Sequence, residues 1–319
     1  MRFDLSSMID PELRSLADES RAFYARRQSG RGARNPDELQ AFRLQAPAPA
    51  VCEPQPVIEH VSADGRTVPV RIHRPAGNAP SGVILEIHTG GFFMGSAAGS
   101  DLRNRRLVET LGVAVVSVDY RLAPENPWPA APDDCETAAL WLAEHAHARF
   151  GTANLAVTGF SAGATLTMAT LLRFRDRGLK VFTGGVLQCG TYDLSAQTPA
   201  GRLIADEYFL DAYAGDAPDR THPDLSPAFS DLADLPPVML VIGTEDVLLE
   251  DNLVMATRLA AAGVEVDLRL YPASPHAFSG HSTSMARAAL NDIDNWLRDR
   301  LGVLDRTPPR KQWGAPESH

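Results

Sequence analysis

From Val57 onward, short runs rich in Val, Ile and Leu alternate with longer amphipathic runs, and nothing else in the chain narrows the choice of fold so sharply. The apolar runs at 57–61, 67–73, 82–88, 114–120, 154–159, 184–189, 238–242 and 264–271 read as strands. Several are unbroken stretches of branched side chains, as expected of strands buried on both faces of a parallel sheet. Helical runs lie between the later ones, at 102–111, 133–148, 162–177, 252–262 and 285–301. Strand and helix in alternation predict an α/β fold: an open, mostly parallel eight-stranded sheet covered by helices on both sides. At 319 residues, 44% of them apolar, the chain can bury such a core as one unit.

Ahead of the sheet, Asp10-Pro11-Glu12 opens an amphipathic helix carrying Leu13, Leu16, Ala17, Phe23 and Tyr24, with Asp10 as cap and Pro11 in the first turn. Asn35-Pro36-Asp37-Glu38 starts a shorter one. The stretch 45–56 holds Pro47, Pro49, Pro54 and Pro56 and reads as a semi-rigid connector. Residues 201–215 (GRLIADEYFLDAYAG) predict an extra helix with an aromatic face, read as a lid in preference to ordinary core packing. The expected organisation is therefore a helical cap segment and connector at 1–56, and a sheet domain at 57–305 with a cap insertion at about 195–230. A polar tail follows at 306–319.

A formal charge of −10 leaves no basic footprint for nucleic acid or an anionic membrane. The N-terminal MRFDLSSMIDPEL lacks the apolar core of roughly 7 to 15 residues that a signal peptide needs, and runs such as 111–118 are too short to span a bilayer. Cys52, Cys135 and Cys189 are odd in number and form no CxxC, which argues against a disulfide framework or a zinc site. His145 and His147, two apart, point to different faces of a helix. The chain is expected to be cytoplasmic and non-membrane, with no metal and no cofactor.

The chemistry starts at GFSAGA, residues 159–164, where an apolar strand ends and a helical run begins. A serine there can ride a sharp strand-to-helix turn, displaying its hydroxyl at the carboxyl end of the sheet while small neighbours avoid crowding. The helix behind it aims its N-terminal amides at developing negative charge. HTGGFF, residues 88–93, directly follows the third strand, where Gly90 and Gly91 can bring bare amides to a substrate carbonyl together with the amide of Ala162. Ser161 as nucleophile requires a base, and the base an orienting acid, in the chain order acid then histidine. Asp246, in GTEDVLLED after the seventh strand, and His276, in SPHAF after the eighth, fall on strand-end loops in that order. Glu245 ranks behind Asp246, while Glu250 and Asp251 read as acidic residues of the next helix's first turn. His281 is the weaker rival of His276. Phe92, Phe93, Phe160, Tyr208, Phe209 and Tyr213 are candidates to line a substrate pocket, each equally able to serve as core.

Together these residues resemble the bacterial hormone-sensitive lipase-like esterases, family IV of the α/β-hydrolases, over almost the whole chain. The most specific piece is VDYRLAPENPWPAAPDD, residues 118–134, which is similar to that family's segment after the fourth strand. The resemblance implies the α/β-hydrolase fold, with Ser161 as nucleophile, His276 as general base and acid, Asp246 as its orienting acid, and Gly90, Gly91 and Ala162 as the oxyanion hole. It also implies a cap from the N-terminal helices and the 200–230 region, small ester substrates of short to medium acyl chain, and frequent homodimers, here through the edge strand 264–271. His88 would shape its loop and take no part in proton transfer. Four residues depart from the family pattern: Thr89 in place of its first glycine, Phe160 before the serine, Ala164 after it, and Glu86 in a buried strand. Glu86 reads as half of a structural ion pair in preference to a catalytic group. Other readings on the same scaffold are a deacetylase, lactonase or amidase, and a non-catalytic receptor, which would be expected to lack a triad member.

Overall fold

The computed structural model describes residues 4–27, 32–77 and 79–303; Arg2 and the tail 306–319 lie outside them. The first expected helix is divided into a 3-10 segment, Pro11–Leu16, and helix α1 (Ala17–Tyr24). Asp10 caps the 3-10 segment by accepting from the Glu12 amide. Helix α2 (Pro36–Gln45) is capped by Asn35, which accepts from the Glu38 amide. No regular structure follows until residue 57, as the prolines require.

Strands β1 (Val57–Ala63), β2 (Arg66–His73) and β3 (Val83–Ile87) come next, then α3 (Asp101–Leu111) and β4 (Ala114–Val118). Helix α4 (Ala130–Phe150), β5 (Leu155–Phe160), α5 (Ala162–Asp176) and β6 (Phe182–Gln188) complete the centre. Helices α6 (Pro199–Arg202) and α7 (Tyr208–Ala214) precede β7 (Val238–Gly243), α8 (Leu249–Ala261), β8 (Val266–Tyr271) and α9 (Ser284–Arg300). The helix expected over 201–215 is thus two short ones. The break falls at Glu207, whose extended backbone (φ −78°, ψ 124°) starts a new helical path.

All eight strands join one sheet in the order β1-β2-β4-β3-β5-β6-β7-β8. β1 and β2 are antiparallel to their neighbours and the remainder run parallel. Side chains alternate between two cores, as strand geometry demands. Val83, Leu85 and Ile87 of β3, with Leu155 and Val157 of β5, meet α4, α5 and α8. Ile84, Val115, Ala156, Met239 and Val241 meet α3 and α9 on the other face. By the same alternation Glu86 points toward α3, which decides its partners. The loops beyond the carboxyl ends of β3, β5, β7 and β8 therefore converge, and the site lies there.

Candidate active site

Ser161 sits at the junction of β5 and α5 with φ 53° and ψ −119°, a conformation that L residues rarely adopt and that costs about 1–3 kcal/mol. The flanking glycines explain why the turn can close. A Cβ on Gly159 would lie 2.0 Å from the Gly163 carbonyl oxygen, and one on Gly163 would lie 2.1 Å from that of Ile87. The strained residue is pinned by its own amide, which donates to the Gln188 carbonyl of neighbouring β6 at 2.7 Å. Ala164, the departure after the serine, is fully buried in the helix packing.

Ser161 Oγ lies 3.0 Å from His276 Nε2. The other ring nitrogen, Nδ1, lies 2.9 and 3.2 Å from the two Asp246 carboxylate oxygens. A carboxylate can only accept, so Nδ1 carries the proton and Nε2 is free to accept from the serine hydroxyl. Asp246 is buried and also accepts from the Leu248 amide at 2.9 Å. The rivals lie elsewhere. Glu245 and Glu250 are exposed, Asp251 turns to the Tyr192 amide, and His281 Nδ1 is 2.9 Å from the Tyr24 hydroxyl.

The loop after β3 passes through three successive residues of positive φ: Gly90 (128°), Gly91 (58°) and Phe92 (63°). Thr89 is not among the residues of positive φ, so its β-branch causes no strain there. Gly90 allows no side chain, because its Cβ would lie 2.0 Å from the Met94 carbonyl oxygen. The amides of Gly90 and Gly91 have no acceptor among the described residues, and Ala162, as first residue of α5, carries one of the amides a helix cannot satisfy internally. His88 is buried and stacked on Tyr120 with centroids 4.0 Å apart, and its Nδ1–H donates to the Thr89 carbonyl at 2.7 Å. Burial pushes its imidazole pKa down, which keeps the ring neutral.

Glu86 is buried and meets a full set of donors: Arg103 and Asn104 of α3 at 2.5 and 3.3 Å, Ser100 just before that helix at 2.9 Å, and the Ser117 hydroxyl of β4. Burial raises its pKa, but Arg103 and the hydroxyls outweigh that and hold it below the usual carboxylate range. It is the structural ion pair expected from its position. The six aromatic candidates are not equivalent. Phe92 and Tyr213 are fully buried and stack with centroids 3.9 Å apart, so they belong to the packing beneath the loop. Phe93 and Phe160 are also buried, the latter 6.0 Å from the His276 ring. Tyr208 and Phe209 are partly exposed, and the Phe209 Cβ lies 3.6 Å from where a Cβ on Gly91 would stand.

Sequence reasoning did not anticipate two neighbours of this site. Cys189 is fully buried at the end of β6, with its sulfur within 4.8 Å of ligand atoms of Asp246 and His276, the one such trio among the described residues. Burial, then the Asp246 charge, hold its thiol well above the usual range, so it stays protonated, a poor metal ligand and a poor nucleophile. Arg43 of α2 reaches the carbonyl of Phe93. Neither residue has a sequence signature, because each acts through a contact made only by the fold.

A family model described as alpha/beta hydrolase fold matches residues 84–280. The carboxylic ester hydrolase LipN of Mycobacterium tuberculosis is 31% identical over 297 residues, which is 85% of this chain and 77% of that protein. The carboxylesterase NlhH of the same species is 32% identical over 302 residues, 88% of this chain and 92% of its own. The solved structure of a hormone-sensitive lipase from a metagenome library superposes with a TM-score of 0.68 at 28% identity, covering 92% of this chain and 99% of that one. With the family model matching most of the chain and relatives at 31 and 32% identity over most of its length, the chain belongs to the α/β-hydrolases, in the hormone-sensitive lipase-like esterase family.

Proposed function

We propose that the chain is a serine carboxylesterase acting on short- to medium-chain esters through an acyl-enzyme. The observation that carries this reading is the relay from Ser161 Oγ through His276 to Asp246, at 3.0 and 2.9 Å. His276 Nε2 removes the Ser161 proton as Oγ attacks the ester carbonyl, and Asp246 stabilises the imidazolium that forms. The amides of Gly90, Gly91 and Ala162 receive the oxyanion. The imidazolium then protonates the leaving alcohol, and water, activated by the same nitrogen, releases the acid.

α7 and the N-terminal helices act as the cap, with Tyr208 and Phe209 facing the acyl chain. This is supported by the contacts of Phe209 with the glycine loop and by the Ser20 hydroxyl, which donates to the Ala273 carbonyl at 2.6 Å, three residues before His276. The three cysteines are all free and buried, in keeping with a reducing cytoplasm. Among the described residues no helix is long and apolar enough to cross a membrane. β8 is an edge strand and is the surface through which a homodimer would form. Hydrolysis of p-nitrophenyl acetate, butyrate, octanoate and palmitate tests the substrate class. The reading expects kcat/KM to peak at acetate through octanoate; a maximum at palmitate, or turnover of lactones or amides alone, would overturn it.

A further inference from the structure

The three successive residues of positive φ at 90–92 form a backbone that does not hold itself, since Phe92 bears a side chain in the left-handed region. Its restraints can be counted among the described residues. The Gly90 carbonyl accepts from the Phe93 and Met94 amides at 3.2 and 2.8 Å, and the Phe92 carbonyl accepts from the Ala123 amide at 3.0 Å. The next carbonyl along the loop, that of Phe93, is held by a side chain 50 positions away in sequence. Arg43 donates to it from Nε at 3.0 Å and from an Nη at 2.7 Å, and the same Nη donates to the Ala123 carbonyl at 2.6 Å. Its guanidinium also meets Glu125 at 2.6 Å, an exposed carboxylate that adds little.

We infer that Arg43 is a positioning residue for the glycine loop: by bridging the carbonyls of Phe93 and Ala123 it fixes the direction of the Gly90 and Gly91 amides. The inference rests on the esterase reading, in which those amides receive the oxyanion. One guanidinium Nη meets both carbonyls while Nε adds a second bond to that of Phe93; a lysine ammonium lacks the planar fork and loses the Nε bond. Helix α2 thereby contributes to the rate of the chemical step as well as to covering the site.

The test compares wild type with Arg43→Met and Arg43→Lys, each normalised by titrating active sites with diethyl p-nitrophenyl phosphate. The readouts are kcat and KM for p-nitrophenyl butyrate and the affinity for a butylboronic acid, whose tetrahedral adduct places an oxygen where the oxyanion would sit. Displaced amides should lower kcat by about 10- to 100-fold with KM within about threefold, and weaken the boronic acid by a similar factor. Free guanidinium ion should restore part of the Arg43→Met rate. A merely structural clamp would lower the melting temperature while leaving kcat per titrated site and boronic acid affinity within twofold of wild type, and that result overturns the inference. Arg43→Lys keeps stem and charge, so it carries the test if Arg43→Met does not fold. A wild type that neither hydrolyses the ester nor binds the boronic acid would instead sink the esterase reading, and the inference with it.

Discussion

Asp251 stands in the first turn of α8, 3% exposed, and its carboxylate accepts from the Tyr192 amide at 2.6 Å and the Thr191 hydroxyl at 3.3 Å. Beside it, the Asn252 amide holds the Gly190 carbonyl at 2.8 Å, so this turn anchors the loop that leaves β6 just beyond the Ser161 partner Gln188. Burial is the main influence on the acid, and it pushes the pKa from 3.8 up to about 6 against those hydrogen bonds. A folded pKa above the unfolded one means that the favourable contribution is fully present below pH ~3.8 and lost as pH rises through ~6. A shift of about two units corresponds to roughly 3 kcal/mol as an upper bound. Asp251→Asn keeps an acceptor for the Tyr192 amide and removes the buried charge, so above pH 7 the variant should be more stable by about 1–3 kcal/mol. The gap should begin to narrow as pH falls through ~6 and close only toward pH ~3.8. Urea unfolding of both proteins at pH 5, 6, 7 and 8 reads it directly. A variant less stable than wild type by a constant amount at every pH would show that the charged hydrogen bonds outweigh the burial cost, and the reasoning would be wrong.

Two further outcomes follow from the site. Asp246→Asn preserves shape but presents an amide to His276 Nδ1, favouring the wrong tautomer; kcat should fall by about 10³- to 10⁴-fold, measured against p-nitrophenyl butyrate with KM little changed. Gly90→Ala drives a methyl into the Met94 carbonyl at 2.0 Å, so it should cost at least about 100-fold in kcat, and near-wild-type rates would remove Gly90 from the oxyanion hole.

The parts of this account legible in the sequence are those encoded locally. Apolar runs, several of them unbroken, located the eight strands within a few residues, and the glycines around Ser161 marked an elbow because no other residue fits there. Asp246 and His276 could be chosen because chain order and strand ends are themselves sequence features. Where the reading fell short, the cause was tertiary. The pattern at 201–215 has helical composition throughout, yet the chain breaks at Glu207 so that α7 can stack Tyr213 on Phe92. The N-terminal helix begins as a 3-10 turn although Asp10 and Pro11 suit an α-helix equally well. Arg43, Cys189 and the four donors around Glu86 come from distant segments, and only the finished sheet brings them to their partners.

The central claim is that Ser161 is the residue made nucleophilic by this relay. Intact-mass measurement after brief exposure to diethyl p-nitrophenyl phosphate tests it, followed by peptide mapping, with Ser161→Ala alongside. One diethylphosphoryl adduct per chain is expected, on Ser161, with hydrolysis lost in parallel and no adduct on the variant. An unmodified Ser161 in a folded, ester-hydrolysing protein, or a Ser161→Ala variant that retains wild-type turnover, would contradict it.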